Sequence, residues 1–163
     1  MVNFDYQTPT RLIFGRGVVS EKLASVMNQY GKRVLITYGG GSIKRTAPGH
    51  DKSLYDLVKD TLTDKQVFEL GGIQPNPKFN PSVLDGVRMC QDNDIDVILA
   101  VGGGSVLDCT KAIAGVAGTL KTKVTDNVEE AWDIVCGRKP TTAAVPIVDI
   151  ITRDSTGSEY DMG

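Results

Sequence analysis

The stretch "DVILAVGGGSVLDCTKAI", residues 96–113, decides how the rest of the chain is read. Val97 to Val101 are five consecutive apolar residues, which a strand tolerates only when both of its faces are buried. After Ser105 the period changes, because Val106, Cys109, Ala112, Ile113 and Val116 recur at helical spacing. Ser105 is the expected N-cap of that helix, with Asp108 three residues on in a variant of the capping box. Gly102, Gly103 and Gly104 stand at the hand-over. A tight strand-to-helix turn explains one glycine, since ordering each costs conformational entropy. Three in a row before a helix start also let a backbone approach a phosphate or pyrophosphate, which the successive N–H groups and the helix dipole attract.

The same junction occurs a second time. "RVLITY" (33–38) is a strand candidate that runs into Gly39, Gly40, Gly41 and Ser42. Two such turns, about sixty residues apart, are expected to face one crevice at the carboxyl ends of parallel strands. Around them, "VVSEKLASVMNQYG" (18–31) predicts a helix stopped by Gly31 as the C′ residue. "SLYDLVKDTL" predicts another helix, "KQVFEL" a strand, and Ser82 to Asn93 a third helix after the breaking run "GGIQPNPKFNP". "TAAVPIVDIIT" (142–152) predicts a further strand, with Pro146 arguing against an uninterrupted central one. Strands alternating with helices give an α/β fold, a parallel sheet with flanking helices. At the N-terminus, "VNFDY" and "TRLIFG" alternate and are expected to pair as a hairpin or lie at a sheet edge. Asp126, Glu129, Glu130 and Asp133 fit a solvated helix face opposite Trp132, Ile134 and Val135 better than paired catalytic carboxylates.

Bulk properties exclude several classes of function. The 163 residues carry a net charge of −2 with mixed signs, which argues against a nucleic-acid partner. No apolar run reaches membrane-spanning length, and the first residues have no signal-peptide pattern. Cys90, Cys109 and Cys136 are odd in number and widely spaced, so they read as reduced thiols of a cytoplasmic protein. His50 is the single histidine, in a polar loop, and reads as a solvated turn residue.

Taken in order, "FGRG", "YGGGSIKRT", "ELGGIQPNP", "AVGGGSVLDCTKAI" and "TGSE" resemble the iron-containing (group III) alcohol dehydrogenases, closest to the branch of butanol dehydrogenases and NADPH-dependent aldehyde reductases. The resemblance implies the N-terminal dinucleotide-binding domain of a dehydroquinate synthase-like fold across residues 1–163, with the family's helical C-terminal domain absent. It implies a function in hydride transfer between NAD(P) and a primary alcohol or aldehyde. By position, Gly102, Gly103, Gly104 and Ser105 resemble the pyrophosphate loop, and Asn76 a residue near the adenosine ribose. Thr152 and Thr156 resemble threonines beside the nicotinamide. Asp108 is either a helix cap or a neighbour of the nicotinamide.

Gly39, Gly40, Gly41 and Ser42 stand where NAD-preferring relatives begin with an Asp. Without that carboxylate, and with Lys44 and Arg45 nearby, NADP is expected over NAD. The family's divalent metal (Fe or Zn) is held by one Asp and three His, which are expected beyond this sequence. The chain alone is therefore expected to bind cofactor without turnover. The alternatives are one half of a split enzyme and a non-catalytic remnant that dimerises. The family also implies a homodimer formed through the N-terminal strands.

Overall fold

The computed structural model describes residues 9–153, Gly157 and Glu159. Four strands, β1 (Arg33–Tyr38), β2 (Gln66–Leu70), β3 (Val97–Gly102) and β4 (Ile147–Ile151), form one parallel sheet in the order β2-β1-β3-β4. The helices are α1 (Val18–Met27), α2 (Leu54–Thr61), α3 (Leu84–Asp92), α4 (Gly104–Thr119) and α5 (Val128–Val135). The α/β class and the parallel sheet agree with the alternation in the sequence.

Alternation along each strand sorts the core into two layers. Val34, Ile36, Tyr38, Val97, Leu99 and Val101 pack with Leu23 and Met27 of α1 and Val58 of α2. Leu35, Ile98 and Ala100 face Val87 of α3 and Ile113 of α4 on the opposite side. A sheet covered on both faces has no polar side, which is why Val34 to Ile36 in β1 and Val97 to Val101 in β3 are consecutive apolar residues. Beneath the carboxyl end of β1, Thr37 meets Thr110 of α4 at 2.7 Å, both fully buried. The Thr110 hydroxyl donates to the Val106 carbonyl at 2.8 Å, so its own oxygen is left to accept from Thr37.

Direction reverses between β1 and β3. From β1 the chain crosses through α2 to β2 on one side, then returns through α3 to β3 on the other side, and continues through α4 to β4. The helices of the two routes lie on opposite faces, which opens a crevice at the β1/β3 carboxyl ends.

Four expectations need correction. Helix α4 begins two residues early: its N-cap is Gly103, with no side-chain cap, so Ser105 lies inside the first turn and Asp108 forms no capping box. Gly31 does not stop α1, which ends at the Asn28 cap. A Cβ at Gly31 would stand 2.3 Å from the Asp96 carboxyl, and that close approach, which also lets Asp96 accept from the Arg33 N–H at 2.8 Å, is what the glycine serves. Residues 10–14 form no strand, while the "VNFDY" stretch lies outside the described residues. On α5 the buried residues are Ala131 and Ile134, whereas Trp132 and Val135 remain 41% and 37% exposed. The acidic side of α5 is solvated as expected, with Asp133 and Glu130 paired to Arg138 and Lys139.

Candidate functional site

The β1/β3 crevice encloses about 310 Å³ and is lined by Gly39, Gly40, Ile73, Pro75, Gly103, Gly104, Ser105, Val106 and Arg153. Each wall has a local cause. Ile73 is held against β1 by its N–H, which donates to the Tyr38 carbonyl at 3.2 Å, and Gly72 donates to Gly39 at 2.9 Å. The opposite wall is the first turn of α4, from Gly103 to Val106, where a helix leaves its first N–H groups without carbonyl partners one turn back. A helix of 16 residues also brings a full macrodipole to this end.

The three glycines of the second turn differ in what they do. Gly102 is buried at the end of β3, and a Cβ there would stand 2.6 Å from Val106 Cγ2. Val106 is β-branched and cannot swing away, so Gly102 is required by packing. Gly103 has no such neighbour: the nearest atom to a Cβ is Arg153 Cβ at 3.9 Å. The fold would accept a side chain at Gly103, and the space that side chain would fill belongs to the crevice.

The first turn is built differently. Gly39 and Gly40 line the crevice, but Gly41 and Ser42 open a short 3-10 turn (Gly41–Lys44) on the exposed side. Behind it, the Lys44 ammonium lies 4.8 Å from the Tyr38 ring centre and 4.6 Å from that of Tyr55. Both tyrosine hydroxyls donate to Glu69, at 3.1 and 2.9 Å, and Lys59 pairs with the same carboxylate at 2.9 Å. Burial pushes the Glu69 carboxyl upward, but Lys59 and the two tyrosines outweigh it and hold it below its ordinary value. This cluster was not anticipated, because it depends on β1/β2 register and the turn of α2 rather than on neighbours in sequence.

Of the remaining expected residues, Asn76, Asp108 and Thr152 are described and do not line the crevice. Asn76 is exposed, with a left-handed φ of 53°, next to the crevice residue Pro75. Asp108 is exposed on α4 beyond the first turn. Thr152 extends the β4 ladder, its N–H donating to Gly102 at 2.9 Å. Thr156 lies outside the described residues. Ile73, Pro75, Val106 and Arg153 line the crevice without having been expected there, and Arg153 is the charged one among them.

Elsewhere, a hollow of about 360 Å³ involves Cys90, Gln91, Lys121 and Lys123 at the amino ends of the strands. It sits by the α4 C-terminus, where the dipole disfavours anions, and its Lys123 and Gln91 are engaged by the Asp92 carboxylate and by the Thr122 and Val124 backbone. Burial pushes the Cys90 thiol up to about 12; burial and the Asp108 charge push Cys109 up to about 11, so neither is a nucleophile near neutral pH. Among the described residues no group of three or more His, Cys, Asp or Glu could hold a metal ion, so these residues do not fit the divalent metal that the resemblance implies. No described helix is long and apolar enough to cross a membrane.

Residues 9–162 match the family model for iron-containing alcohol dehydrogenase. The chain is 46% identical over 165 residues to "Probable NADH-dependent butanol dehydrogenase 1" of Bacillus subtilis (strain 168), covering all of this chain and 38% of the relative. It is 37% identical over 163 residues to the NADPH-dependent aldehyde reductase YqhD of Escherichia coli (strain K12), again covering all of this chain and 38% of the relative. The crystal structure of E. coli K-12 YqhD superposes with a TM-score of 0.78 at 39% identity, over 98% of this chain and 37% of that one. The NADH-dependent butanol dehydrogenase A of Thermotoga maritima gives a TM-score of 0.78 at 34% identity, over 95% and 36%. The chain thus spans about 38% of the length of the curated relatives it matches.

Proposed function

Because this chain belongs to the iron-containing alcohol dehydrogenase family, we propose that its β1/β3 crevice seats a nicotinamide dinucleotide for hydride transfer with a primary alcohol or aldehyde. The observation that carries the proposal is the convergence of two glycine turns and the N-terminus of α4 on one crevice at the topological switch point. The diphosphate lies against Gly103, Gly104 and Ser105, where the α4 N–H groups donate to its oxygens with no side chain of Gly103 or Gly104 in the way. The adenosine end reaches towards Gly39, Gly40 and the Asn76 loop. The nicotinamide end extends past Thr152.

Within that reading NADP is preferred over NAD. The first turn offers no carboxylate to repel a 2′-phosphate, and the nearby Glu69 is engaged by Tyr38, Tyr55 and Lys59. Relatives named for each cofactor occur among the matches, so the preference stands on these residues rather than on the likeness. Titration of the purified chain with NADPH and NADH tests both parts. Saturable binding with NADPH the tighter is expected; saturation by neither cofactor at millimolar concentration, from a folded protein, would overturn the proposal. In Gly39→Asp the new Cβ would stand 3.2 Å from the Ile73 carbonyl oxygen, a fit that needs only a small local shift. The variant is expected to weaken NADPH by about tenfold or more while sparing NADH, and an unchanged NADPH affinity would refute the NADP preference.

A further inference from the structure

The charges around the crevice are unevenly committed. A dinucleotide's diphosphate brings two negative charges to the start of α4, and helix N–H groups alone are a partial counter-charge. Lys44 is occupied between two tyrosine rings. The arginines that form ion pairs among the described residues are Arg33, Arg88 and Arg138, all away from the crevice. Arg153 lines the same hollow as Gly103, Gly104 and Ser105, and its Cβ lies 3.9 Å from where a Cβ on Gly103 would stand. Its stem is positioned by the residue before it, since the Thr152 N–H is tied to Gly102 by the last rung of the β3/β4 ladder. The absence of a Cβ at Gly103 leaves that side of the crevice open to the arginine.

We propose that Arg153 clamps the diphosphate of the bound dinucleotide from the β4 side, opposite the α4 N–H groups. The guanidinium fork matches two phosphate oxygens at once. Its place beside Gly103, on the β4 flank of the second glycine turn, sets it at the diphosphate rather than at the adenosine 2′ position, which the proposed pose puts across the crevice by the first turn. Arg153 therefore strengthens NAD and NADP equally and does not select between them.

This inference rests on the dinucleotide reading, and one set of titrations separates the two. The full chain, R153Q and R153K are titrated with NADPH, NADH and ADP-ribose at low and moderate salt, with circular dichroism as the folding control. R153Q is expected to weaken all three ligands by about tenfold or more, to leave the NADPH/NADH ratio unchanged and to flatten the salt dependence. R153K is expected to recover part of the loss, since a point charge replaces the fork. If the unaltered chain binds and R153Q binds equally well, the clamp is refuted while the dinucleotide site stands. Weakening confined to NADPH would also refute it, placing the arginine at the 2′-phosphate. If the unaltered chain binds none of the three ligands, the dinucleotide reading falls and takes the clamp with it.

Discussion

Gly102 and Gly103 are neighbours with opposite reasons for being glycine, and only the packing separates them. Gly102→Ala forces a methyl group into the branched Val106 side chain, so it is expected to lower stability by about 1–3 kcal/mol, as overpacking does, read as a drop in the urea midpoint. A midpoint equal to that of the unaltered chain would mean that the turn has room to spare. Asp149 is a second residue whose behaviour follows from its surroundings. Both its carboxylate oxygens are buried, with no hydrogen-bond partner among the described residues, on the β4 position opposite Ala100. Burial first, then the Glu159 charge, push its carboxyl up to about 7 from an ordinary 3.8, with Lys111 pulling the other way. The folded state therefore keeps this proton after the unfolded chain has lost it. Stability from this group is complete below about pH 4 and is lost as pH rises to about 7, by up to about 1.4 kcal/mol per pH unit. The difference in unfolding free energy between Asp149→Asn and the unaltered chain should grow in the variant's favour across pH 4 to 8. A difference that does not change with pH would contradict the account.

At the level of elements, the Thr37–Thr110 contact fastens α4 to β1 directly beneath the crevice. Thr110→Val removes the acceptor for a fully buried hydroxyl and is expected to cost about 1–3 kcal/mol, whereas adding Thr37→Val should return much of that loss. A double variant destabilised by the sum of the two single losses, measured by chemical denaturation, would show that the hydroxyls do not depend on one another. The elements also show where a sequence stops being legible. β1 and β3 could be read because a sheet covered on both sides is largely apolar, and β4 because Ile147, Val148, Ile150 and Ile151 flank a single Asp149, although the strand starts after Pro146 rather than at residue 142. The start of α4 was misplaced because Gly103 caps it with backbone alone and leaves no side-chain signature. Gly31 was misread because a C′ glycine and a glycine admitting a distant carboxylate look the same along the chain. Trp132 is covered on one side only, by Phe79 with ring centres 4.9 Å apart, and a helical period does not encode that contact from outside the helix.

For the molecule as a whole, the order β2-β1-β3-β4 turns two separate glycine runs into one crevice. That much of the site was legible, because both turns follow strands and parallel strands place their carboxyl ends together. Arg153 and the Tyr38–Tyr55–Glu69–Lys44 cluster were not, since each arises from strand register and from side chains brought together over long separations. The central claim is that the crevice holds a dinucleotide against a backbone left bare at Gly103. A Val at this position meets nothing closer than Arg153 Cβ at its first atom, so it is expected to leave the fold intact, at a capping cost of no more than about 1 kcal/mol. The most direct measurement is a fluorescence titration with NADPH of the unaltered chain and of Gly103→Val, both verified as folded. The account predicts saturable binding by the former and a loss of at least about tenfold in the latter. Equal affinity in the two proteins would contradict it, because the diphosphate could not then lie against Gly103.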